Sequence, residues 1–233
     1  MTFTKENLVS GLNPSQQKAV TTTEGPLLIM AGAGSGKTRV LTNRIAYLIQ
    51  NDVKPWNILG ITFTNKAANE MRERVGQVVN ANSKDIWLST FHAMCVKILR
   101  KDINRIGYTK SFTILDSADQ INIVKKVMGD VLDLDTKMYP PREIQAAISS
   151  AKNDLLTPNA YAERVEGDFT GEITAKVYQA YQEELERSHS LDFDDLIMKT
   201  VVLFKKCPKI LASYQDKFRY ILIDEYQDSA TRC

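Results

Sequence analysis

Apolar residues recur along this chain with two distinct periods. Val40, Leu41, Ile45, Leu48 and Ile49 fall three and four positions apart, which predicts a helix with one buried face. Ala67, Met71, Val75 and Val78 repeat that spacing, and Phe91 to Ile106 carries it further. Between these stretches lie short, nearly unbroken apolar runs at Leu27–Met30, Ile58–Phe63 and Ile86–Ser89. Each is too short for a stable helix and reads as a buried strand. Asn13-Pro14 marks an earlier helix start, with Asn13 as N-cap and Pro14 in the first turn, running to about Thr22. Strands alternating with helices predict a parallel sheet covered on both faces.

The character changes near Gly107. A short strand, Phe112–Leu115, leads into Ser117-Ala118-Asp119-Gln120, a capping-box pattern with Ser117 as the expected cap. Helical patterns then dominate: Ala118–Val131, Arg142–Leu155, Pro158–Val165, Glu172–Arg187 and Phe193–Lys206, punctuated by Pro140-Pro141 and Thr157-Pro158. The Asp192-Phe193-Asp194-Asp195 run is a helix N-terminus with dipole-matched acids. Arg219-Tyr220-Ile221-Leu222-Ile223 returns to strand character. The expected fold is α/β: a parallel sheet interrupted by an inserted, mainly helical subdomain.

At 233 residues and 43% hydrophobic content, the chain can bury one large core or two modest ones. Its net charge of +2 says little about partners, but the distribution is uneven. Nine basic residues against four acidic ones lie between Asn65 and Lys110, a local excess suited either to a polyanion or to an ordinary solvated surface. Cys95, Cys207 and Cys233 are far apart, form no metal-ligand spacing and are odd in number; with His92 and His189 they make no cluster. The stretch Met1 to Asn13 lacks the apolar core of a signal peptide, and no apolar run approaches the roughly 20 residues that span a bilayer. A cytoplasmic protein with no membrane partner is expected.

The strongest chemical signal follows the first apolar run. Ala31-Gly32-Ala33-Gly34-Ser35-Gly36-Lys37-Thr38 has the wording of a Walker A phosphate loop, with Ala31 where the common form has glycine. Such a loop curls backbone N–H groups around phosphates at a helix N-terminus. Lys37 would lie between the β and γ phosphates, and Thr38 would ligate Mg²⁺. The second signal is Asp224-Glu225, two carboxylates delivered at the C-terminal end of a strand, where open α/β sheets bind ligands. Asp224 would share the Mg²⁺ with Thr38, and Glu225 would be the base acting on the water that attacks the γ phosphate. ATP and Mg²⁺ are the expected cofactors.

Taken together these motifs resemble the superfamily 1 DNA helicases of the UvrD/PcrA/Rep family, over nearly the whole chain up to Asp228. Leu12-Asn13-Pro14-Ser15-Gln16-Gln17 is similar to the family's Q motif, which assigns adenine reading to Gln16; from the residue alone, Gln16 is a helix-surface position. Arg39 takes the role of a nucleotide contact. Ile61-Thr62-Phe63-Thr64-Asn65-Lys66-Ala67-Ala68 is similar to motif Ia, Ser89-Thr90-Phe91-His92 to motif Ib, and Asp224-Glu225-Tyr226-Gln227-Asp228 to motif II. Leu191-Asp192-Phe193-Asp194-Asp195-Leu196 is a further family signature. The resemblance makes Phe63, Thr64, Asn65, Thr90 and His92 DNA contacts. Phe63 is then either a base-stacking platform or a core residue ending its strand; His92 alone reads as a helix-start residue.

The same resemblance implies a RecA-like P-loop NTPase domain, split as 1–110 and 191–233, around a helical subdomain at 111–190. It implies an ATP-dependent 3′–5′ DNA helicase of repair or replication, engaging single-stranded DNA and duplex junctions. In the family the polypeptide continues past Asp228 with a second RecA-like domain and the arginines that stabilise the transferred phosphoryl group. The sheet is therefore expected to be incomplete here, and the chain to be an N-terminal portion, either a fragment or the product of a reading-frame break. Three readings stand: part of a helicase, a module that binds nucleotide or single-stranded DNA without turnover, or a piece that does not fold stably because a sheet edge is exposed.

Overall fold

The computed structural model describes residues 5–32, 34–79 and 85–225. Two compact units emerge, one drawn from the chain up to Ala93 and from Ala212 onward, the other spanning Met94–Leu211.

The first unit is α/β. Helices α1 (Lys5–Val9), α2 (Pro14–Thr21), α3 (Lys37–Gln50) and α4 (Asn65–Val79) accompany strands β1 (Ile58–Thr62) and β2 (Trp87–Thr90). Helix α5 (Phe91–Asp102) follows directly on β2. The last strand of this sheet, β5 (Tyr220–Ile223), comes from the far end of the chain, and the order is β2-β1-β5, all parallel. Every residue of β1 is buried, as expected of a strand covered on both faces. Ile45 and Leu48 of α3 and Met71 and Val75 of α4 pack with Ile58, Leu88 and Leu222 in one core. Gly60 is needed in the middle of β1, because a Cβ there would lie 2.4 Å from Leu88 Cδ2.

The expected first strand does not form. Residues 26–30 carry no strand assignment, and Leu28 and Met30 are 70% and 90% exposed. A strand is stabilised by a ladder, and apolar sequence without a paired neighbour stays irregular. Among the described residues β5 pairs with β1 alone, so no ladder reaches the run at Leu27. Phe63 is likewise not a core residue: it sits just past β1 and is 63% exposed.

The second unit is helical. Most of α5 leads through a 3₁₀ turn (Ile103–Ile106) to β3 (Thr113–Ile114), then to α6 (Ser117–Lys126), a π turn (Val127–Val131), α7 (Pro141–Asn153), α8 (Pro158–Arg164) and α9 (Phe169–Arg187). Strand β4 (Ser190–Leu191) pairs in parallel with β3 and precedes α10 (Phe193–Lys206); α11 (Pro208–Lys217) begins in this unit and runs on into the residues of the first. The capping box falls one residue earlier than the sequence pattern suggested. Asp116, not Ser117, accepts from Ala118 and Asp119 N–H, and Asp119 reaches back to Asp116 N–H. A carboxylate competes well with a hydroxyl for the orphan donors at a helix start.

The core of this unit joins Val124 and Met128 to Ile144 and Ile148 of α7 and to Val177, Tyr178 and Tyr181 of α9. Beside it lies a buried ionic cluster. Lys152 Nζ donates to Asp192 Oδ2 at 2.7 Å and lies 3.0 Å from Asp195 Oδ1, while Tyr181 Oη donates to Asp192 Oδ2 at 2.9 Å. Asp192 also caps α10, accepting from Asp195 N–H at 2.8 Å. Burial opposes the Lys152 charge, yet Asp195 and Asp192 beside it hold its pKa above the ordinary value. Burial pushes Asp195 up, against the pull of Lys152.

Lys152→Met leaves two carboxylates in a dry core, and removing one partner of a buried ion pair costs about 3–5 kcal/mol. Urea unfolding at neutral pH is expected to register that loss. Without the ammonium, burial holds the Asp195 carboxyl still further above the unfolded value of about 3.9, so the deficit shrinks as pH falls through its folded-state value. A deficit that does not change with pH would mean the aspartates are not responsible.

Candidate functional site

Parallel pairing sets the geometry of the site. Thr62 is in register with Thr90, and Ile61 with Ile223, so β1, β2 and β5 end on one edge of the sheet. Each strand hands its polar residues to that edge. Past β1 come Phe63, Thr64 and Asn65, and Thr64 Oγ1 caps α4 by accepting from Ala67 N–H at 3.1 Å. At the end of β2, Thr90 is nearly buried and its Oγ1 accepts from Ala93 N–H at 3.3 Å, one residue past the half-buried His92. Past β5 come Asp224 and Glu225, with Asp224 N–H extending the ladder to Ile61 O at 2.9 Å.

The phosphate-loop residues meet the acids of β5. Helix α3 starts at Lys37 after Gly36, whose φ of +84° is open to glycine and disfavoured for other residues. Lys37 Nζ lies 3.5 Å from Glu225 Oε1, both side chains about one-third exposed (31% and 36%). Thr38 is half-buried in the first turn of α3, and Arg39 is exposed next to it. Ala31, Gly32, Gly34 and Ser35 are exposed in the loop, and Ala33 lies outside the described residues, as do Tyr226, Gln227 and Asp228.

Charge and backbone are both perturbed at this edge. Asp224 is half-buried, and burial, then the neighbouring Glu225 carboxylate, pushes its pKa up, against weaker pulls from the Glu225 N–H it accepts and from Lys37. Glu225 adopts φ +55°, a left-handed conformation that costs a non-glycine residue roughly 1–2 kcal/mol. Its N–H donates to Asp224 Oδ1 at 3.1 Å. Strain and crowded carboxylates of this kind concentrate where ligands bind. The oxygen-rich pair suits a hard divalent cation such as Mg²⁺, which would relieve the repulsion that raises Asp224.

The Q-motif glutamine is not a free surface residue. Gln16 Oε1 accepts from Asn13 N–H at 3.0 Å, and Nε2 donates to Ser35 O at 2.9 Å. The spacing Asn13-x-x-Gln16 is itself a capping-box signature, so the first contact was legible in the sequence. The second spans 19 residues and was not.

Phosphate-loop glycines at a helix start, facing paired acids at the carboxyl edge of a parallel sheet, define a phosphate-loop α/β domain. The sequence profile of the UvrD/REP helicase N-terminal domain matches residues 12–232, and the chain belongs to that family. It is similar to the ATP-dependent DNA helicase PcrA of Bacillus subtilis (strain 168), with 55% identity over 98% of this chain and 31% of that protein. PcrA of Leuconostoc citreum matches at 57% over 96% of this chain and 30% of that protein. PcrA of Staphylococcus aureus (strain Mu50 / ATCC 700699) matches at 54% over 95% and 30%. The chain thus spans about 30% of the length of these curated relatives. Among the described residues no helix is long and apolar enough to cross a membrane.

Asp224→Asn removes a carboxylate that burial and Glu225 both disfavour. A carboxyl whose folded pKa is raised costs stability at neutral pH, and that cost disappears as pH falls through the folded value. The variant is therefore expected to melt at the same temperature as the parent chain or a few degrees higher at pH 7, with the difference closing below about pH 4. Scanning calorimetry at the two pH values measures this. Lower stability of the variant at pH 7 would contradict the raised Asp224.

Proposed function

We propose that this chain is the ATP-binding part of an ATP-dependent helicase that moves 3′ to 5′ on single-stranded DNA. The observation that carries it is the convergence of Lys37, at the start of α3, with Glu225 and Asp224 at the end of β5, 3.5 Å separating Lys37 Nζ from Glu225 Oε1. A partly exposed ion pair of this kind is weak, roughly 0–1 kcal/mol, and gives way readily to a phosphate. Lys37 leaves Glu225 for the β and γ phosphates, which frees the Glu225 carboxylate to accept the proton of the attacking water. Thr38 and Asp224 would hold Mg²⁺, whose charge offsets that developing on the phosphate oxygens. Loop N–H groups from Gly32 to Gly36 cradle the phosphates, with Ala31 and Ala33 in the same loop. Arg39 lies beside them as a second cation for the nucleotide.

The DNA reading rests on the same edge. Phe63 offers an exposed ring on which a base can stack without sequence preference. Asn65 and His92 stand at the first turns of α4 and α5, and Thr64 and Thr90 cap those helices, where N–H groups and dipoles favour phosphate. A strand of DNA laid across this edge would touch the loops that follow β1 and β2, which are the neighbours of the strand carrying the acids.

Lys37→Ala is expected to weaken ATP binding at least tenfold, by titration calorimetry with Mg²⁺ present, about 1.4 kcal/mol or more. Glu225→Gln is expected to keep binding and to lose whatever phosphate release single-stranded DNA stimulates. Unchanged ATP affinity in Lys37→Ala sinks the site assignment. ATP binding with no DNA-stimulated release from the parent chain narrows its role to holding nucleotide.

A further inference from the structure

The helical unit carries a pocket of its own, with a volume of about 420 Å³. That is within the roughly 300–1,000 Å³ of ordinary ligand sites. One wall is a single face of α6: Ala118, Ile121, Asn122 and Lys125 recur at the three- and four-residue spacing that stacks side chains on one side of a helix. The other wall is Thr136 with Pro140, Pro141 and Arg142, where the chain enters α7. Gln145 Nε2 of α7 donates to Gln120 Oε1 of α6 at 2.9 Å, which ties the two walls together.

The chemistry of the lining is two-sided. Its polar side chains are unspent: among the described residues Asn122, Lys125, Thr136 and Arg142 make no side-chain hydrogen bond or ion pair. Lys126, next along α6, is by contrast held by Glu184 at 2.7 Å. No lining residue is acidic, so nothing in the pocket neutralises its ammonium and guanidinium groups. The start of α7, with Pro140 at its N-cap and no side-chain cap, adds the positive end of a helix to the same wall. The rest of the lining, Ala118, Ile121, Pro140 and Pro141, is apolar. Alanine and proline have almost no side-chain freedom to lose, so contact with them costs little entropy.

We propose that this pocket docks a short acidic peptide of a partner protein, which seats one large apolar side chain on Ile121, Pro140 and Pro141 and sets its flanking carboxylates on Lys125 and Arg142. The guanidinium fork of Arg142 takes a carboxylate through two N–H groups, and Lys125 acts as a point charge. A nucleic acid matches less well. Its backbone offers phosphate after phosphate and no apolar side chain. The stretch from Asp116 to Glu143 holds six acidic residues against four basic ones, which repels a long polyanion laid across it. A short peptide meets the two cations of the pocket and leaves the surrounding acids in water. All of these residues belong to the helical unit, so the inference stands apart from the nucleotide reading.

The test is fluorescence polarisation of a labelled peptide, Asp-Asp-Leu-Phe set among glycines and serines, with the whole chain. The parent chain is expected to bind it with a Kd of about 100 µM or tighter. Exchanging both aspartates for asparagine, or Leu-Phe for Ser-Ser, should each weaken binding about fivefold or more, since each removes one half of the match. Lys125→Glu combined with Arg142→Glu should weaken it about tenfold or more, whereas Lys176→Glu, at an exposed lysine of α9 outside the pocket, should stay within about twofold. Lys125 and Arg142 are exposed, and an acid suits the first turn of α7, so the double variant should melt as the parent does. The peptide exchanges probe the same contacts on the unaltered protein and stand even if that variant is unstable. No binding by the parent chain, no loss on either peptide exchange, or an equal loss in Lys176→Glu overturns the proposal. So does a labelled DNA duplex of about 12 base pairs that loses tenfold in the double variant while the peptide fails to bind, which would assign the pocket to nucleic acid.

Discussion

The parallel ladder of β1 with β2 and β5 is the constraint on which the site depends. Parallel pairing leaves no freedom over which strand ends are neighbours: once Ile61 opposes Ile223 and Thr62 opposes Thr90, the residues after all three strands share an edge. β5 arrives in that ladder more than 150 residues after β1, so the helical unit between them is tolerated only because the ladder is specific. The specificity comes from burial on both faces of β1 and from Gly60, where Leu88 leaves no space for a side chain. Helices α4 and α5 then begin at the edge because Thr64 and Thr90 cap them there.

Two clusters of charge show how burial decides what an ion pair does. Lys37 and Glu225 are about one-third exposed and 3.5 Å apart, a pairing that water and a competing anion can dissolve. Lys152, Asp192 and Asp195 are sealed from solvent, and their three charges tie α7 to the start of α10. The first arrangement is poised for exchange. The second is fixed, and it explains the acids of Asp192-Phe193-Asp194-Asp195 as part of the framework of the helical unit: Asp192 caps α10 and is also the counter-ion of a buried lysine. Asp194 belongs to the same framework, accepting from Ser149 Oγ of α7 at 2.6 Å.

Membership of the UvrD/REP helicase N-terminal domain family and the local chemistry agree on a phosphate loop opposed by acids. What the geometry adds is a direct link between the start of α2 and the loop. A capping box is ordinarily a local device that satisfies the first N–H groups of a helix. Here the glutamine that completes the box also grips the backbone of the phosphate loop, so the cap of one helix and the entry to another are a single structure.

The sequence by itself determined much of this protein. Periodicity placed α3, α4, α7 and α10 to within a residue or two, because a one-sided apolar stripe is a local property. Gly36-Lys37-Thr38 and Asp224-Glu225 stood out in the sequence, and the structure brings Lys37 and Glu225 to within 3.5 Å of each other. Only the tertiary structure decided the rest. It left Leu27–Met30 out of the sheet, since a strand exists only with its neighbour, and it exposed Phe63, since burial depends on what lies opposite. It moved a helix cap from Ser117 to Asp116, where a carboxylate was in reach of the same donors. It gave Lys152 to Asp192 across 40 residues and the Gln16 amide to the Ser35 carbonyl across 19, contacts whose spacing carries no periodic signal. Hydrogen bonds and ion pairs are short-ranged in space, and the chain must fold before distance along it ceases to matter.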